Sequence, residues 1–119
     1  MALTKSPTPL VSKASGANAS GNTATGSGVE IKNGVAGIAT ITNGASGPTT
    51  PCGLYLDYSA DNTNWVNGPL IGLGDTANNA ITPIPFRPDP EWNYYRTRFT
   101  GNTGQSVTVE DAASRIETL

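Results

Sequence analysis

The sequence predicts an all-β chain: a small antiparallel β-sandwich, Ig-like or jelly-roll-like, with an extended N-terminal arm. Short stretches that alternate apolar and polar residues recur along the chain. Asn, Gly, Asp and Pro clusters interrupt them about every 8–12 residues, the spacing of sandwiches and barrels. No segment holds helical apolar spacing over a full window. A length of 119 residues leaves room for one domain. We divide it into an arm, residues 1–28, and a sandwich, residues 29–119.

The arm is built from Pro, Ser, Thr, Ala, Asn and Gly, and "SGANASGNTATGSG" (Ser15 to Gly28) contains no large side chain. Such a segment buries too little surface to offset its ordering entropy, so it is expected to be flexible or held by a partner chain. Leu3, Leu10 and Val11 are its candidate anchors, and "PLVSKAS" (Pro9 to Ser15) could make one short edge strand.

The sandwich strands follow in order. "GVEIK" runs into Asn33-Gly34, the strongest short hairpin signal, and "VAGIATIT" comes after it. Gly37 and Ala39 there leave room for close backbone approach or a bulge. "CGLYLDYSA" puts Leu54, Leu56 and Tyr58 on one face and Tyr55 and Asp57 on the other. In "YSADNTNW", Asp61 and Asn62 suit a tight reversal, and Trp65 packs back at its exit. "ITPIPF" is an edge strand whose prolines withhold ladder donors. "NYYRTRFTG" sets Tyr95, Thr97 and Phe99 against Tyr94, Arg96 and Arg98, and "QSVTVED" alternates again. The tail "EDAASRIETL" could start a helix at Asp111, but its continuity with the preceding strand favours an extended course.

Composition excludes several functions. Leu, Ile, Val and Phe make up about 18% of the chain, and 13 of the apolar residues are alanine, so the core is thin. The net charge is only −2 and the seven basic residues are scattered, which argues against nucleic acid as a partner. No apolar run approaches the roughly 18 residues that span a bilayer, so no membrane partner is expected. Nothing at the start resembles a signal peptide, and the Asn18-Ala19-Ser20 glycosylation triplet is read as chance. Cys52 stands alone and is read as a small buried apolar residue. With no histidine, neither the usual catalytic triads nor a zinc site can be assembled. Scattered carboxylates remain for acid–base work, but a thinly cored chain offers no pocket to shift one of them. No enzymatic activity, cofactor or metal is therefore expected. Trp65 and Trp92, beside Asn and Asp groups, are candidates for a glycan platform.

"YSADNTNW" resembles the S-x-D-x-x-x-W hairpin of discoidin-like sandwiches and of many phage virion proteins. "YYRTRFTGNTGQSVTVEDAASRI" is similar to the last strands of small β-sandwich structural proteins of tailed bacteriophages, and the polar opening to their N-terminal arms. The resemblance implies a non-enzymatic virion protein, made in the host bacterial cytoplasm and assembled as a homo-oligomer. Among such proteins the expectation is a capsid decoration (cement) protein on the major capsid protein, gripping through the arm and through Tyr94, Arg96 and Arg98. A tail, neck or fibre-attachment subunit is the alternative, and a carbohydrate-binding module of a receptor-binding tip is the second.

Overall fold

The computed structural model describes residues 2–119. Among these the strands are β1 (Thr4–Lys5), β2 (Gly16–Asn18), β3 (Thr23–Thr25), β4 (Val29–Glu30), β5 (Val35–Asn43), β6 (Gly53–Ser59), β7 (Trp65–Val66), β8 (Leu70–Leu73), β9 (Ile81–Phe86), β10 (Tyr94–Thr100) and β11 (Val107–Thr118). They form two antiparallel sheets packed as a β-sandwich. The first has the order β1-β11-β5-β9, with β2 also on β11. The second has the order β3-β10-β6-β7, with β4 on β10 and β8 on β6.

Alternation decides which side chains enter the core. Tyr95, Thr97 and Phe99 of β10 and Leu54 and Leu56 of β6 face Ala39 and Ile41 of β5 and Val107 and Val109 of β11. Burying each large apolar side chain contributes roughly 1.5–3 kcal/mol. Gly37 is paired with Phe86, whose ring occupies the space a Cβ would need, so a bulkier residue there would displace it. Cys52 is fully buried and free, and desolvation pushes its thiol up to about 11. The C-terminal segment is extended, continuing β11 to Thr118.

Two expectations change. Asn33-Gly34 does not close a hairpin: β4 belongs to the second sheet and β5 to the first, so this turn carries the chain across the sandwich. The left-handed positions are Lys32 and Gly34, with Ile31 fully buried before them. β4 is only two residues long and is followed at once by the core residue Ile31, which leaves no room to pair with its successor.

The second change concerns the arm, expected to be mobile or to need another chain. Its residues lie along their own sandwich. β1 and β2 flank the two ends of β11, Leu10 bridges Ala113 between them, and β3 pairs with β10. Pro9 to Ser15 is not a strand. Instead the Ser12 and Lys13 amides turn inward and donate to the Asp111 carboxylate, each at 2.9 Å. The Asp111 carboxylate also accepts from Thr97 Oγ1 at 2.6 Å, joining the two sheets. Ser12 Oγ accepts from the Thr97 amide and donates to the Ser27 carbonyl. Further along, the Asn18 and Asn102 side chains, both buried, bond one another and nearby carbonyls. Polar bonding holds most of this segment, with Leu10 and Ala24 packed against the core.

Candidate functional site

The outer face of the second sheet carries an organised group of charged and aromatic side chains. Register puts Arg96 opposite Asp57 and Arg98 opposite Tyr55, and the period of two points all four away from the core. Asp57 is wholly buried beneath the two arginine stems. Arg96 Nε donates to its Oδ2 at 3.1 Å, Arg98 Nε to both oxygens at 3.1 Å, and the Gly68 amide to Oδ1 at 3.2 Å. A buried carboxylate needs such partners to remain charged.

Each guanidinium also lies over an aromatic ring. Arg96 stands 4.4 Å from the Trp65 ring centre and Arg98 4.5 Å from that of Tyr55. The result is a row, Trp65–Arg96–Asp57–Arg98–Tyr55, in which every cation is held from two directions. The aliphatic Leu70, paired with Tyr55, and Leu73, paired with Gly53, extend the face toward the sheet edge.

Trp65 owes its place to the turn before it. Asp61 accepts from the Thr63 and Asn64 amides at 2.9 and 2.8 Å, from the Asn64 side chain and from Ser59 Oγ, while Asn62 takes the left-handed conformation. Those bonds, led by that from the Asn64 amide, hold the Asp61 carboxyl well below the usual carboxylate range. β7 then returns antiparallel, with Trp65 opposite Ser59.

The residues singled out from the sequence divide into three places. Arg96 and Arg98 lie at the centre of the row. Tyr94 and Trp92 line a neighbouring polar hollow of about 410 Å³, with Glu30, Lys32, Asp61 and Asn93. There Trp92 stacks on Tyr58, centroids 5.8 Å apart, and packs against the core. Leu3, Leu10 and Val11 run along β11 in the other sheet, Leu3 and Val11 exposed and Leu10 packed on the core. They do not join the arginines. Tyr55 and Asp57 complete the site and were not singled out. The signal for them was a lone acid in "YLDY" whose outward face could answer the two cations of "YYRTRF".

Among the described residues no group of three or more His, Cys, Asp or Glu side chains is placed to hold a metal ion. No family model matches the chain, and no curated protein matches it. Among solved structures the chain is similar to one described as Family 16 Carbohydrate Binding Module-2. The likeness covers 84% of this chain and 72% of that one, at 13% identity and a TM-score of 0.45. It is too distant to bear on function.

Proposed function

We propose that this chain is a non-enzymatic structural protein that acts by docking onto partner proteins through the outer face of the second sheet. The observation that carries the reading is the row of fixed arginines and aromatics bordered by exposed leucines. Trp, Tyr and Arg are the residues that dominate binding energy at interfaces, above all where they are held rigid before the partner arrives. The sequence resemblance supplies the setting: a capsid decoration subunit stabilising the head of a tailed bacteriophage, with a tail, neck or fibre-attachment subunit as the alternative.

This moves the docking surface away from the arm. β1 and β2 already pair with β11, and β3 with β10, of their own chain, so strand donation by them to a neighbour would first require those bonds to break. The exposed edge strand β9 carries Pro83 and Pro85, which withhold ladder donors from an incoming strand.

Counting copies of the chain in purified virions tests the proposal. Hundreds per particle are expected for the head, and multiples of three, six or twelve would move it to the tail. Its absence from virions would overturn the setting.

A second reading, a carbohydrate-binding module, draws on the polar hollow beside Trp92. Against it, Arg96 covers one face of Trp65, and Trp92 is stacked on Tyr58. Tryptophan emission followed during titration with host polysaccharides decides it: a change restricted to glycans supports the module, and a silent titration removes it.

A further inference from the structure

We infer that the Arg96–Arg98 pair is a carboxylate receptor, and that its ligand is an acidic segment of the protein that docks on this face. The inference rests on the docking proposed above and names the chemistry of the partner.

Each guanidinium uses its Nε–H on Asp57. The terminal Nη groups of both arginines donate to no protein atom among the described residues, and none of them is buried without a partner, so both forks end in solvent. Their planes are fixed by the Nε bonds and by stacking on Trp65 and Tyr55, and the side chains are only 22% and 16% exposed. Long side chains normally lose rotamer freedom on binding, and here most of that loss has already been met in the folded chain. Two cations over one carboxylate leave the patch net positive, on a chain of net charge −2. A planar fork suits a carboxylate because two parallel N–H···O bonds can form at once.

The surroundings select the source of that carboxylate. Leu70 and Leu73, 45% and 52% exposed, flank the tyrosine end of the row. Covering them calls for apolar side chains beside the acid. A polypeptide carrying both Glu or Asp and Leu or Val supplies them, whereas a sulfated or uronic-acid glycan offers acid without the apolar neighbour.

The test titrates the isolated chain with a synthetic peptide alternating glutamate and leucine, read by NMR on the arginine Nε–Hε resonances. The glutamine–leucine peptide and a sulfated oligosaccharide form the other arms. The glutamate peptide is expected to shift both arginine signals, with binding weakened by salt. Removing the arginines would strand Asp57 in the interior, so the informative variant is Arg96→Lys with Arg98→Lys. It keeps positive charge near Asp57 but loses the outward forks. Its melting temperature should stay close to the parent's while peptide affinity falls about tenfold or more. Equal binding by the parent and the double-lysine variant overturns the receptor. Equal binding of the two peptides does the same, and preference for the oligosaccharide overturns the protein partner. These failures are separable from failure of the docking proposal. A chain present on virions whose lysine variant binds the peptide unchanged loses only this inference, and a chain absent from virions that still binds through the pair loses only the setting.

Discussion

Asp57 on β6 and Asp111 on β11 are both carboxylates with almost no exposed surface, yet they point to opposite sides of the sheets that carry them. Asp57 points outward and is met by two cations and one amide. Asp111 points inward between the sheets and is met by neutral donors: two amides of the N-terminal segment and the Thr97 hydroxyl. The first arrangement places fixed positive charge on the surface. The second closes a seam. The same residue type thus fixes a charged outer face, which we propose meets a partner, where its own partners are charged and reach solvent, and a structural joint where they are neutral.

The comparison is sharpest at Asp111. Replacing it with alanine strands three buried donors and removes the tie between the sheets. The expected cost is roughly 3–5 kcal/mol, a large part of a small domain's stability. Urea denaturation should show a strongly lowered midpoint, and a change below about 1 kcal/mol would mean that the seam is not held there.

At Asp57 the two arginines share one acceptor, so their losses should not add. Arg96→Ala or Arg98→Ala alone is expected to cost about 1 kcal/mol, because the other cation remains. The double variant leaves a buried charge uncompensated and should cost roughly 3 kcal/mol or more. A double-mutant cycle giving simple additivity would contradict a shared carboxylate.

Ser12→Ala removes the acceptor for the Thr97 amide and the donor to the Ser27 carbonyl but leaves Asp111 in place. A loss of about 1–2 kcal/mol is expected. Faster hydrogen exchange at the Thr97 amide would locate the effect, and unchanged exchange there would argue against the seam.

The smallest effect is on pH dependence. Burial pushes the Asp111 carboxyl up, outweighing its hydrogen bonds. A raised carboxyl binds its proton more tightly in the folded chain. Its contribution is therefore present below the ordinary value of 3.8 and fades as pH rises through the folded value. Asp61 and Glu117 are lowered by their hydrogen bonds, so they act in the opposite sense: their contributions are present above 3.8 and 4.5 and fade as pH falls. Urea midpoints measured against pH should decline on the acid side because of the second pair. They should decline gently above about pH 4 because of Asp111. In Asp111→Asn the second slope should disappear, and a persisting slope would assign it to another group.

The sequence made the sandwich legible because its longer strands carry unbroken period-two alternation. In "LYLDY" and "YYRTRF" the inner and outer faces follow directly from residue parity, and the structure places them accordingly. The turn at Asp61 to Asn64 was readable for a similar reason, since its bonds are local. The arm was not readable. Its order comes from contacts such as Ser12 with Asp111 and Asn18 with Asn102, between residues far apart in the chain. Composition registers the missing large side chains of such a segment but not the hydrogen bonds that replace them. Asn33-Gly34 failed as a hairpin signal because turn chemistry specifies a reversal, not the sheet in which the next strand lies. Half of the arginine site was visible as alternating cations. Asp57 needed register, which only the paired strands provide.

Hydroxyl-radical footprinting of the chain, free and in its native assembly, tests docking through this face most directly. Protection of Tyr55, Trp65, Leu70 and Leu73 on assembly is the expected result, with Leu3 and Val11 labelled equally in both states. Unchanged labelling of the four together with protection along the N-terminal segment would contradict the account.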